Sequence, residues 1–124
     1  MAITGGVARG AVTRPAVILY SAIPGLGTTN TTRVDGRGSQ RLLFHIVSSL
    51  DQAITVQAFG NFTDSVTNLA LIANLEPIPI GSVTTQVLTL GISDVYWHPY
   101  LGVQIVAAVA PTAGLLTITY VEQQ

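Results

Sequence analysis

The sequence predicts an all-β protein, an antiparallel β-sandwich or jelly-roll-like barrel of about eight strands that follows an extended N-terminal arm. Short runs in which apolar and polar residues alternate with period two recur along the chain, as expected of strands with one buried face. Turns rich in glycine and proline separate these runs, and no segment has the 3.6-residue periodicity of a long helix.

The two most informative runs are 41–48 and 54–59, which are separated by the polar segment 49–52. In the second run, apolar residues such as Val56 point one way and polar residues such as Thr55 point the other. A four-residue break that contains Asp and Ser is typical of a hairpin turn. We therefore expect these two runs to pair as an antiparallel β-hairpin.

The C-terminal part follows the same pattern. Run 101–109 shows the clearest alternation of the chain, and run 115–122 follows it after the turn 111–114, which contains Pro and Gly. The sequence predicts that these two runs pair within one sheet.

The other segments give weaker signals. Segment 16–21 is apolar on both faces and predicts a short strand covered on both sides. Segment 28–34 has no apolar face and predicts an edge strand or a loop. A loop followed by a strand is favoured over a helical turn in 61–73. Two prolines make 76–81 an extended connector, and 83–90 is a further strand.

We divide the chain into an arm, residues 1–14, and a single β-sandwich domain, residues 15–124. The arm is rich in Gly, Ala, Thr and Val, so it buries little by itself and is expected to be flexible or to lie on a neighbouring subunit. Its start lacks the unbroken apolar stretch of a signal peptide. The uncharged region 95–121 has period two and several Pro and Gly residues, which argues against a membrane helix.

Charged residues are scarce. Only 9 % of the 124 residues are Asp, Glu, Lys or Arg, and lysine is absent, whereas about 25 % is usual. Eleven charged side chains are few to keep a surface of roughly 6,000 Å² soluble. We expect part of this surface to be covered by copies of the chain or by a larger assembly; the alternative is a monomer with a Thr-, Ser-, Gln- and Asn-rich surface.

The charges are also unevenly distributed. The first 41 residues hold all five arginines and one aspartate, a net charge of +4, and the remainder holds five carboxylates and no cation, a net charge of −5. This asymmetry suits contacts between subunits or docking onto an acidic partner, and the four arginines expected at such an interface are Arg9, Arg14, Arg33 and Arg37. The positive charge is too dilute for a nucleic-acid interface.

The one aromatic cluster, Tyr96, Trp97 and Tyr100, is compatible with three roles. Exposed, it would be a protein interface or a carbohydrate platform; buried, it would be a plug at the end of the sandwich.

Nothing in the sequence indicates catalysis or a cofactor. Cysteine is absent, which excludes disulfides, thiolate catalysis and cysteine-based zinc sites. His45 and His98 are not spaced as metal ligands, and the segment 25–29 lacks the lysine and the helix of a phosphate loop. We predict no catalytic residue, no metal and no bound cofactor.

The order of signals in the body supports a comparison. Segment 33–38 leads into an apolar strand, 55–61 is followed by Asp64, and 96–105 precedes a final strand rich in Thr and Val. Over roughly 33–124 this resembles the small β-sandwich, jelly-roll-like subunits of tailed-phage virions, such as head decoration (cement) proteins. Those subunits carry a cation before the strand that follows their penultimate turn, where this chain has Leu101 and Gly102.

This resemblance implies a non-enzymatic virion protein that decorates and stabilises a capsid. It implies a homo-oligomer, most simply a trimer, that grips the major capsid protein or another shell protein through its arm and loops. Nucleic acid and membrane are not expected partners, and the expected location is the virion, assembled in the host cytoplasm. The alternatives are a carbohydrate-binding β-sandwich and a cupin-like jelly-roll enzyme, which would need a metal cluster that two histidines do not supply.

Overall fold

The computed structural model describes residues 13–72, 75–80, 84–91 and 98–124, with the backbone alone for 84–91. Ten strands lie in these segments, and all their pairings are antiparallel. In chain order they are β1 (Val17–Ala22), β2 (Gly27–Asn30), β3 (Val34–Asp35), β4 (Arg41–Ser48), β5 (Ile54–Asn61), β6 (Ala70–Leu71), β7 (Glu76–Ile78), β8 (Thr84–Gly91), β9 (Tyr100–Ala107) and β10 (Leu116–Gln123).

The strands form two sheets. One has the order β1-β10-β4-β8; the other has the order β2-β9-β5-β6, with β3 also on β9 and β7 also on β5. Because β2 and β3 share one partner, as do β6 and β7, each pair occupies a single strand position, and the sandwich has eight positions. Successive strands mostly alternate between the two sheets, which is the order of a jelly roll. The predicted all-β sandwich of about eight strands is confirmed.

The core lies between the sheets and is built from alternate residues of the four long strands whose side chains the structure describes. Those residues are essentially inaccessible to solvent, and burial of each large one contributes about 1.5–3 kcal/mol. They are Leu42, Phe44 and Ile46 of β4, Ile54, Val56 and Ala58 of β5, Leu101, Val103 and Ile105 of β9, and Leu116 and Ile118 of β10.

The predicted hairpin between 41–48 and 54–59 is wrong. The two strands form as expected, but β4 pairs with β10 and β8 while β5 lies in the opposite sheet. The link between them crosses the end of the sandwich: Leu50 is buried there, and Ser49 N donates to the carbonyl oxygen of Leu115 at 2.9 Å. A period-two pattern specifies which residues face inward but not which strand lies alongside.

The predicted pairing of the last two runs is wrong for the same reason. Strand β9 pairs with β5, β2 and β3, whereas β10 pairs with β1 and β4 in the other sheet. The turn between them again spans the thickness of the sandwich rather than joining neighbours.

Four weaker predictions can be compared with the structure. Segment 16–21 was expected to be covered on both sides, but β1 is an edge strand whose Ile18 is 65 % exposed. Segment 28–34, predicted as an edge strand or a loop, contains both: β2 ends at Asn30, a three-residue link follows, and β3 begins at Val34. Segment 76–81 contains β7 rather than a connector, and Pro77 is tolerated because β7 lies at the sheet edge. The strand expected in 68–73 is the two-residue β6.

The arm lies mostly outside the described residues, which include only its last two positions. Thr13 forms a β-bridge with Gln123, and Arg14 N donates to the carbonyl oxygen of Glu122 at 2.8 Å. The arm therefore joins the domain beside the end of β10. No helix in the described part of the chain has the length and hydropathy needed to cross a membrane.

The turn glycine Gly114 provides a test of the crossing links. Its φ is +92°, and a Cβ there would collide with the carbonyl oxygen of Ser49. We expect Gly114→Ala to lower the free energy of unfolding by about 2 kcal/mol or more, because strain and collision act together. Urea denaturation measures this. The control is Gly25→Ala, which meets no atom within 4 Å; equal effects of the two substitutions would contradict this account.

Candidate functional site

The two ends of the sandwich differ in charge, although both expose apolar side chains, among them Phe62 and Val66 at the end described first. One end, here called the charged end, is formed by the connections 36–40 and 62–69, residues 98–99 and the segment 13–14. Of the nine charged residues that the structure describes, seven are located there. They are Arg14, Arg33, Asp35, Arg37, Arg41, Asp64 and Glu122.

At this end Arg37 is held between a carboxylate and an aromatic ring. Its Nε and Nη2 donate to the two carboxylate oxygens of Asp35 at 2.9 and 2.8 Å, and its backbone N donates to Oδ1 at 3.0 Å. The guanidinium carbon lies 5.3 Å from the centroid of the Tyr100 ring, within the range of a cation–π contact. These hydrogen bonds lower the pKa of Asp35 to about 2 and raise that of Arg37. Because the pair is exposed, its effect on stability is small.

A second ion pair joins two connections of the charged end. Arg33 Nε donates to Asp64 Oδ1 at 2.9 Å, and Arg33 Nη1 donates to the carbonyl oxygen of Thr31 at 3.3 Å. Asn61 orders the same connection, because its Nδ2 donates to the carbonyl oxygens of Ser65 and Thr67 at 2.8 and 2.9 Å. The link between β2 and β3 is thereby held to the loop that follows β5.

A small cluster outside the main core supports these loops. Phe59 faces outward on β5, like Thr55, yet it is 0 % exposed. It lies against Gly102, the residue opposite on β9, where a Cβ would be 2.5 Å from the ring. Thr31 Oγ1 accepts a hydrogen bond from Val103 N at 3.0 Å beside it. Sequence reasoning missed this cluster, although a glycine inside a strand often marks a close approach.

His98 packs in a similar way on the inner side of the same end. A Cβ at Gly60 would lie 2.5 Å from the His98 ring, so the glycine makes room for the imidazole. The Phe62 and His98 rings form a tilted pair with centroids 5.5 Å apart, and Phe62 is 79 % exposed. The position therefore presents an exposed aromatic ring beside a half-buried one.

The predicted interface residues divide into three groups. Arg9, Tyr96 and Trp97 lie outside the described residues. Arg33 and Arg37 have carboxylate partners in their own chain, and Arg14 contacts β10 through its backbone.

Tyr100 is brought together with Arg37, which the sequence did not predict. The interface and carbohydrate roles of these side chains remain predictions.

His45 is exposed on the outer face of β4, and the described residues contain no group of three or more His, Asp and Glu side chains able to hold a metal.

The other end of the sandwich, here called the apolar end, is formed by the connections 23–26, 49–53 and 108–115 with residues 79–80. Five large aliphatic side chains are 43–68 % exposed there. They are Ile23, Leu26, Ile80, Val109 and Leu115.

One carboxylate, Asp51, is described at this end. It accepts hydrogen bonds from Thr112 N at 2.9 Å and from Thr112 Oγ1 at 2.7 Å, and these bonds lower its pKa. The Asp51 carboxylate thus links the connection 49–53 to the connection 108–115.

An open groove of about 410 Å³ continues from the apolar end onto the outer face of the second sheet. Its floor crosses three neighbouring strands, because Thr55 is the register partner of both Pro77 and Val106. The solvent-accessible residues of its lining are small or apolar, with one threonine: Ala53, Thr55, Pro77, Pro79, Val106 and Ala108.

Comparison with known proteins informs the fold. No protein-family model and no curated protein matches the sequence. The chain is similar to a solved structure described by the words "Bacillus endospore appendages form a novel family of disulfide-linked pili". The TM-score is 0.55 and the sequence identity is 11 %. The match covers 98 % of this chain and 97 % of the other. At this identity the similarity establishes a common β-rich fold over the whole length.

The Asp35–Arg37 pair gives the charged end a carboxyl group whose pKa is low, with only a small effect on stability. Because the pKa of Asp35 is lowered to about 2 when the chain is folded, compared with about 3.9 when unfolded, the pair contributes stability above pH ~4 and loses it as the pH falls toward 2. The carboxyl carbon resonance of Asp35 should report this pKa in an NMR titration. In Arg37→Gln the pKa should return toward 3.9; an unchanged pKa would show that Arg37 is not the cause.

Proposed function

We propose that this chain is a non-enzymatic structural subunit that assembles with copies of itself into a larger shell or filament. The observation that carries the proposal is the apolar end, where four segments from different parts of the chain expose Ile23, Leu26, Ile80, Val109 and Leu115. Exposed apolar side chains that are concentrated in one region often mark an interaction surface.

The distribution of charge supports the same proposal. The charged end accounts for most of the described ionised groups, so little at the apolar end opposes removal from water. Asp51 accepts two hydrogen bonds from Thr112 there, which offset part of the free-energy cost of covering its carboxylate. Burial of apolar area contributes about 25 cal/mol per Å² before the costs of association are met.

The non-enzymatic part of the proposal rests on two points. The sequence contains no recognised catalytic motif, and the chain shares its fold with an appendage protein. Fold similarity alone is a weak functional argument, because a jelly roll also occurs in lectins and cupins. The exposed aliphatic end is the feature that favours assembly over these roles.

Within this class we propose a virion subunit, most simply a trimer, that decorates a capsid by contacting the major capsid protein or another shell protein. The jelly roll, a fold frequent among viral capsid domains, supports this, together with the arm that precedes Thr13. A second candidate, a subunit of a filamentous appendage, is favoured by the full-length similarity to a pilus protein. That protein is described as disulfide-linked, whereas this chain has no cysteine, so its copies must associate non-covalently.

Self-association is the first testable consequence. At micromolar concentration, size-exclusion chromatography with light scattering should give a mass that is a multiple of the monomer. The mass should be the same with and without a reductant, because no disulfide can form. A monomer under these conditions would overturn the proposal. Electron microscopy of the same sample separates closed oligomers from filaments.

The arm provides the second test. We expect deletion of residues 1–12 to reduce assembly or attachment to a shell, while the domain stays folded, because the contacts of Thr13 and Arg14 with β10 are retained. Circular dichroism checks the fold, and light scattering or co-sedimentation with shells checks assembly. A matched control replaces Arg9 with Gln in the full chain, which separates loss of the segment from loss of its charge. Unchanged assembly after the deletion would remove the arm from the mechanism.

A further inference from the structure

The lining of the groove beside the apolar end favours a ligand of particular chemistry. It is open, and its accessible lining offers Thr55 as the single polar side chain among alanine, proline and valine. Such a surface favours an extended segment with small aliphatic side chains and few charges. The groove therefore selects against a charged or strongly polar ligand.

The first twelve residues of this chain have that composition. They contain Ile3, Val7 and Val12 among glycines and alanines, and one charged side chain, Arg9. A segment of this composition can bury little apolar area by itself.

The position of Thr13 shows where residues 1–12 are attached to the domain. Thr13 pairs with Gln123 at the charged end, next to β1 in the first sheet. The groove lies near the opposite end, on the outer face of the second sheet, close to β7. The attachment point at Thr13 and the groove are thus diagonally opposite within one copy.

Distances decide between the chain's own groove and that of another copy. Twelve extended residues reach about 40 Å at most. The groove begins at Val106 of β9, six residues from Tyr100 at the charged end, so a path around the outside to the chain's own groove covers about 20 Å along the strands and about 10 Å from one sheet to the other at least. It would consume most of that reach before any residue entered the groove. A neighbouring copy whose apolar end faced this charged end would bring its groove nearer to Thr13 than the chain's own groove is.

We infer that residues 1–12 of one copy bind in the groove formed by Ala53, Thr55, Pro77, Pro79, Val106 and Ala108 of a neighbouring copy. The charged end of one subunit then faces the apolar end of the next, and each segment covers apolar surface of its neighbour. This inference rests on the proposed function, and it specifies the surface through which copies associate. Contacts of this heterologous kind either close into a ring or continue as a filament.

Cysteine cross-linking in the full chain tests the inference directly, because no native cysteine interferes. The test variant carries Val7→Cys and Ala108→Cys; the control variant carries Val7→Cys and His45→Cys, with His45 exposed on the outer face of the other sheet. After mild oxidation, non-reducing electrophoresis should show at least ten-fold more cross-linked dimers and larger species for the test variant. Light scattering before oxidation records the oligomeric state.

Each outcome has one meaning. A disulfide-linked ladder specific to the Ala108 variant supports the inference. A cross-linked monomer shows that the segment fills its own groove, and equal cross-linking of both variants shows that the groove is not selected; either result overturns the inference. If the protein is oligomeric but no cross-link to Ala108 forms, the inference fails and the proposed function stands. If the protein is monomeric before oxidation and remains uncross-linked, both fail.

A second pair of variants tests the groove without cysteines. Ala108→Arg introduces a charge into the groove at an exposed position, so the domain should stay folded, and it should weaken assembly at least five-fold. His45→Arg, equally exposed but on the other sheet, should leave assembly unchanged. Equal behaviour of the two variants would overturn the inference.

Discussion

The apolar faces of the two sheets cover each other only because the chain repeatedly crosses from one sheet to the other. Strands β4 and β5 are consecutive in sequence, yet they lie on opposite sides of the core, and the same is true of β9 and β10. Each crossing carries the backbone over an end of the sandwich, where its polar groups need partners. At one end this need is met by two hydrogen bonds: Ser49 N donates to the carbonyl oxygen of Leu115, and Thr112 N donates to the carboxylate of Asp51.

This crossing pattern also determines the chemistry of the surface. It gathers connections from distant parts of the sequence at two ends. One end has most of the described charges and also exposes Phe62 and Val66; the other exposes five aliphatic side chains around one described carboxylate. At the charged end, Arg33 and Arg37 are paired with Asp64 and Asp35, so their charges are largely balanced within the chain. At the apolar end no comparable set of ion pairs is described.

The protein with a similar fold is described as a disulfide-linked pilus protein, whereas this chain has no cysteine. Any association between copies of this cysteine-free chain would be non-covalent. Non-covalent association of this kind is reversible and concentration-dependent. The scarcity of charge in the sequence is therefore informative mainly in combination with the place where the remaining charges lie.

The sequence predicted where the strands lie along the chain better than which strands pair with one another. The inward positions of β9, including Leu101 and Ile105, were correctly expected, because alternation is a local property that each strand carries by itself. The predicted hairpins failed because pairing depends on which distant strand supplies hydrogen bonds and core contacts. Nothing in the segment 49–52 distinguishes a hairpin turn from a crossing link until Gly114 is seen to lie against Ser49.

The candidate site shows the same division. The sequence by itself determined the β class, the faces of the strands, the lack of thiol chemistry and the overall shortage of charge, since these follow from composition and short-range pattern. Tertiary structure alone decided that Arg37 contacts Tyr100, that Phe59 lies over Gly102, and that aliphatic residues from separate connections meet at one end. The physical reason is that these contacts join residues far apart in the chain, and their formation depends on the packing of the two sheets as a whole.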